Sequence, residues 1–126
     1  MFDFMPQTTA LQEDLEDARV LREAVRYIEG HGWCQGKAVD GVGRVCVLGS
    51  IAIVAGARLP FGNIDEHLTY RHPVFNRVTQ SVFRYGINAV FNDAPGRTKA
   101  EVISALTGCA DWLEAGRPDD RRYSHV

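Results

Sequence analysis

Between Thr9 and Gly32 the chain repeats apolar residues at helical steps: Leu11, Leu15, Ala18, Leu21, Val25 and Ile28 stand three or four apart. A turn of about 100° per residue brings such positions onto one face, and an apolar face has to be covered by another element. Thr9 and Gln12 read as a capping box that opens this helix, and Gly30 and Gly32 close it. Glu13, Asp14, Glu16 and Asp17 crowd its first turns, where the helix dipole favours acids, while Arg22 and Arg26 lie toward its end. A second stripe runs through Val102, Ile103, Leu106, Cys109, Ala110 and Leu113. It is opened by T-K-A-E at Thr98 to Glu101 and stopped by Gly116 and Pro118. Two such helices are expected to pack together and enclose Ile51 to Val54, within the apolar run SIAIVAGA of residues 50–57. That run reads as a short central helix, with a third strand as its alternative.

With 126 residues, the folded surface should be roughly 6,700 Å² against roughly 20,000 Å² unfolded, enough for one core. Two independent catalytic domains, a large barrel or a full dinucleotide-binding fold are excluded. Apolar residues make up 45% and charged residues 24%, the balance of a globular domain rather than a disordered chain. The formal charge is -2, and the 12 arginines and two lysines are scattered among acids, which disfavours binding to a nucleic-acid backbone. No window reaches the length and hydrophobicity of a membrane span, and MFDFMPQTT is neither a basic leader nor a signal-type run. Three widely spaced cysteines form no disulfide framework. A cytoplasmic protein that does not engage a membrane is expected.

The segment GWCQGKAVDGVGRVCVLG changes character. Short strand-like pieces, Lys37 to Val39 and Arg44 to Val47, flank Asp40-Gly41-Val42-Gly43 and predict a small β-hairpin packed on helices. LPFGN (59–63) reads as a turn and IDEHLTY as one or two helical turns. His72-Pro73 opens a further helix, with Phe75, Val78 and Val82 inward and Gly86 at its end. INAVFNDAPGRT is a brief apolar approach followed by a compact turn. The expected fold is mainly α, a four- or five-helix domain with a small β-hairpin. It spans residues 11–116, between a flexible lead-in (1–10) and a polar tail (117–126).

Three segments, G-W-C-Q-G, D-x-x-G-R-V-C-x-L-G and F-N-D-A-P-G-R-T-x-x-E-V, together resemble a family of small uncharacterised proteins of actinobacteria and their phages, a domain of unknown function. Gly32, Trp33, Gln35 and Gly36 match its G-W-x-Q-G turn. Cys46 and Gly49 match its C-x-x-G-A helix entry, with Ser50 in place of alanine. Asn92, Asp93, Arg97 and Thr98 match its W-N-D-x-x-x-R-T turn, with Phe91 in place of tryptophan. The resemblance covers about residues 15 to 115 and implies a shared fold and no particular activity.

Cys34 or Cys46 with His31, oriented by Asn92 or Asp93, is the minimum set for thiol chemistry. A helix N-terminus near Gly49-Ser50 would lower the Cys46 thiol pKa. The apolar setting V-C-V-L favours an inert packed thiol instead. Gln35 is either an oxyanion donor or, more simply, tied to loop backbone. His31-x-x-Cys34 supplies only half of a zinc signal, so no metal and no cofactor are expected. Asp93 and Arg97 should pair across the turn and lock the entry to the last helix; a general-base Asp93 or an anion held at Arg97 is the functional alternative. Trp33 reads as a lid on the core. Phe61, Tyr70, Arg71 and Arg77 group aromatic and guanidinium side chains in the least patterned stretch and are the candidate partner surface. The expected function is a small non-enzymatic protein-interaction or regulatory factor, such as a phage accessory protein acting on a host protein. Its alternative is a small hydrolase or transferase using Cys34, Cys46 or Asp93.

Overall fold

A computed structural model describes residues 5–56 and 72–118, with side chains from Leu11 onward. Among these residues the chain forms five α-helices: α1 (Met5–His31), α2 (Val47–Val54), α3 (Pro73–Tyr85), α4 (Ala89–Asp93) and α5 (Lys99–Glu114). The 59–63 turn, the IDEHLTY segment and the tail beyond Pro118 lie outside the described residues, as do Phe61, Tyr70 and Arg71.

The two terminal stripes find each other as their patterns require: α1 packs chiefly along α5, and α2 lies against both α1 and α3. Ala18, Leu21, Ala24 and Ile28 of α1 meet Val102, Leu106, Cys109, Ala110 and Leu113 of α5 in one core, which Ile51 and Ala52 complete from α2. Arg22 reinforces this pairing at its edge, with Nη2 donating to Asp111 and Glu114 at 2.7 Å each. The helix starts follow local chemistry. His72 caps α3 through Nδ1, which accepts from Phe75 N at 3.3 Å, and Pro73 takes the first turn, where a missing N–H costs nothing. Thr98 and Glu101 form the reciprocal capping box expected for α5, at 3.1 and 2.9 Å. Gly86, at φ +112°, ends α3 in the left-handed conformation that favours glycine.

The apolar run does become a central helix, displacing the strand alternative, but it starts at Val47 rather than Ser50. The start of α1 also differs from expectation. The helix already includes Met5, so Thr9 lies within it and does not cap it. Its inner face is rotated from the simple stripe as well: Leu11 and Leu15 are 50% and 46% exposed, while Asp17 is fully buried. On this rotated face Asp14 and Asp17 meet Arg117 and Arg77.

The expected β-hairpin is not formed; the described residues contain no β-strand, only isolated bridges of Val45 with Trp33 and with Val39. A ladder needs consecutive backbone groups left free for a neighbouring strand. Here the two pieces meet only briefly. Asp40 N donates to Arg44 O at 2.9 Å and Cys46 N to Ala38 O at 3.1 Å. Cys46 O then accepts from Ser50 N at 2.9 Å and the chain enters α2. Asp40 Oδ1 accepts from Val42 N and Arg44 N, at 3.0 and 2.9 Å, closing a tight turn. On the other side, Cys34 O, Gly36 N and Val47 N are bonded to Asn92 and Asp93 of α4. The pairing of the strand-like pieces is thus cut to a single bridge, by the Asp40 turn on one side and the start of α2 on the other.

Candidate functional site

Asn92 is the centre of this arrangement. It stands near the end of the five-residue helix α4, which Asn88 opens by accepting from Phe91 N at 2.9 Å. Asn92 is 3% exposed, and its amide makes four hydrogen bonds. Its Oδ1 accepts from Trp33 Nε1 at 2.8 Å and from Val47 N at 3.1 Å. Its Nδ2 donates to Cys34 O at 3.2 Å and to Asp93 Oδ1 at 2.8 Å. Buried amides of this kind stabilise only when fully bonded, and this one is.

Its neighbours extend the network. Asp93 Oδ1 also accepts from Gly36 N at 3.0 Å. Gln35 Nε2 donates to Asn92 O and Ala94 O, both at 3.0 Å, so the glutamine is tied to the loop backbone. Arg97 departs from the expected pairing with Asp93. Its Nε donates to Phe91 O at 2.8 Å, its guanidinium lies 3.9 Å from the Phe91 ring centroid, and its nearest carboxylate is Glu101 at 3.6 Å. Asp93 faces the other way because Gly36 N and the Asn92 amide claim it.

A cleft of about 260 Å³ opens between the 36–38 turn, the start of α2, Phe75 of α3 and α4. Ala52, Phe75 and Leu48 contribute to an apolar lining, while Cys46, Asn92 and Asp93 bring polar atoms to it. Gly49 is required by this geometry: a Cβ there would meet Ala38 O at 2.1 Å. Cys46 caps α2, its Sγ accepting from Gly49 N at 3.3 Å. The helix N–H groups favour the thiolate, but burial outweighs them and Asp93 adds repulsion, so the thiol pKa is raised rather than lowered.

The remaining sequence candidates fall elsewhere. Cys34 is buried, its Sγ directed to the carbonyls of Arg44 and Lys37 at 3.3 and 3.4 Å, and burial is the main reason its pKa is raised. Exposed His31 stacks on Tyr27, with ring centroids 3.8 Å apart, and stands in neither thiol's set of contacts. Among the described residues no group of three or more His, Cys, Asp or Glu side chains is placed to hold a metal ion. Arg77 is engaged within the molecule, by Asp17, Glu16 and Glu13. Trp33, Gln35, Cys46, Asn92 and Asp93 are thus brought together, and Arg97 braces the turn behind them. Asn88 and Ala89 belong to the cleft without having been singled out, and Phe75, read from the sequence as an inward residue of its helix, reaches it too; the capping preference of Asn88 was the one local signal for the first two.

The motif segments that converge here lie within residues 12–111, which match the model of a family of unknown function, DUF6197. The chain belongs to DUF6197. The G-W-C-Q-G and F-N-D-A-P-G-R-T segments of this DUF6197 member are therefore two halves of one hydrogen-bonded unit, separated in sequence and joined at Asn92. No curated protein and no solved structure matches the chain. Among the described residues, no helix is long and apolar enough to cross a membrane.

Proposed function

We propose that this DUF6197 protein is a small non-enzymatic interaction factor, cytoplasmic and of actinobacterial or phage origin, that receives an apolar side chain of a protein partner in the cleft beside α4. One observation carries the reading: the polar motif residues spend their hydrogen bonds on one another, building the cleft wall and leaving an apolar lining. Preformed concave sites with a few placed polar groups suit such an anchor. The test is affinity capture from the native host, followed by calorimetry with the strongest hit. Ala89→Trp, which places bulk at the cleft beside α4, should weaken that affinity at least tenfold while the fold is retained. Unchanged affinity would place the interface elsewhere.

A second reading rests on Cys46 and Asp93 sharing this cleft: a hydrolase or transferase with a Cys46 nucleophile. The raised thiol pKa and the separate position of His31 count against it. Cys46→Ser separates the two, since an interaction factor keeps its affinity and a thiol enzyme loses turnover.

A further inference from the structure

The N-terminal half of α1 carries an arrangement that the cleft does not use. Glu13, Asp14, Glu16 and Asp17 face two guanidinium groups, Arg77 from α3 and Arg117 from the segment after α5. Arg77 Nε donates to Asp17 Oδ1 at 2.7 Å, and its other nitrogens meet Glu16 and, at 3.8 Å, Glu13. Arg117 directs Nε and Nη2 to Asp14 Oδ1 at 3.1 and 2.9 Å, and Nη2 also donates to Ser81 Oγ at 2.8 Å. Four carboxylates share two cations. Asp17 is the one with no solvent exposure, and its Oδ2 has no hydrogen-bond partner among the described residues.

A buried carboxylate normally needs its charge matched and both oxygens bonded. Asp17 has one oxygen bonded, by a guanidinium it shares with two other acids, and Asp14 lies close by on the same helix. We propose that Asp17 is a buried proton-binding site that strengthens the attachment of α1 to α3 in mild acid. Loss of solvent is the main cause and Asp14 adds to it, against the hydrogen bond and charge of Arg77 and the charge of Arg117; the carboxyl is pushed up from 3.8 to about 6. When the proton is bound, the buried negative charge disappears, while Arg77 keeps Glu16 and Glu13. Of the other elements around it, α5 presents the Cys109 thiol, whose pKa is also raised, and α2 carries no ionisable side chain.

The direction follows from linkage. The folded value lies above the unfolded one, so the stabilisation from the proton is complete below the unfolded value of 3.8 and is lost as pH rises through about 6. The experiment is urea unfolding of the whole chain at several pH values from about 5 to about 8, for the wild type and Asp17→Asn, with carbon-detected NMR titration of the wild-type Asp17 carboxyl. Between these limits the wild-type folding constant should gain about tenfold on acidification relative to the variant. The carboxyl resonance should shift with a midpoint near 6. Identical pH profiles for the two proteins, or a midpoint at or below the ordinary 3.8, would overturn the proposal. Should Asp17→Asn fail to fold, the wild-type carboxyl titration decides it.

Discussion

The indole Nε1 of Trp33 donates to Asn92 Oδ1 at 2.8 Å, across 59 positions of the chain. The same oxygen receives Val47 N, so one side chain joins the turn after α1, the start of α2 and the end of α4. Trp33 therefore both packs against the apolar core and fixes the orientation of a buried amide.

Asn92→Ala should be among the more damaging substitutions at this site. It leaves Val47 N and Cys34 O without their buried partner and frees the Trp33 indole. A loss of about 3 kcal/mol is expected, read as a lower urea midpoint with an altered tryptophan emission.

Asp93→Ala removes the acceptor of Gly36 N and of the Asn92 amide while leaving the helix cap at Thr98 intact. Because Asp93 is exposed, the cost should be smaller, about 1–2 kcal/mol, with little change in denaturant slope. Unaltered stability together with lost partner binding would instead make Asp93 a contact residue.

Two glycines inside helices should answer differently to alanine. At Gly49 the added Cβ meets the Ala38 backbone at 2.1 Å, so α2 must move and a loss of at least about 2 kcal/mol is expected. At Gly108 the nearest atom is the Tyr85 hydroxyl, at 2.4 Å, the end of a side chain that can turn aside. There the gain in helix propensity, up to about 1 kcal/mol, should offset the displacement, leaving the thermal midpoint nearly unchanged.

Cys34, Cys46 and Cys109 should all react slowly with iodoacetamide near neutral pH in the folded protein and readily in urea. Burial is the leading cause of the raised pKa of each, to about 12 for Cys109. Rapid alkylation of native Cys46, located by mass spectrometry, would contradict this and favour the thiol reading.

Arg77→Ala should cost about 3 kcal/mol at neutral pH, because it strands the Asp17 carboxylate without its only side-chain partner among the described residues. Without Arg77 the Asp17 carboxyl takes up its proton at a higher pH than in the wild type. The deficit should therefore shrink as pH falls toward about 6 and level off below it, where both proteins bind the proton. A uniform deficit across that range would mean that Asp17 is already neutral, or stays charged throughout.

Elements whose signals are local were legible in the order of residues alone. Apolar residues at helical spacing placed α5 and the second half of α1, and His72-Pro73 and the Thr98–Glu101 box marked two helix starts. These follow from geometry within a few residues, although Thr9 and Gln12 carry the same kind of signal and lie inside α1 rather than at its start. Groups whose partners are far away in the chain took their places only through folding. The segment from Lys37 to Val47 carries strand-like residues, but α2 begins at Val47, whose N–H goes to Asn92 Oδ1, so the pairing across the Asp40 turn ends after one bridge. Leu15 fits an apolar stripe, yet Asp17 occupies the buried position, where Arg77 reaches it from 60 residues away. Periodicity records which side chains prefer to leave water. It does not record which polar groups will find partners when they do, and that satisfaction set both the course of the 32–46 segment and the inward face of α1.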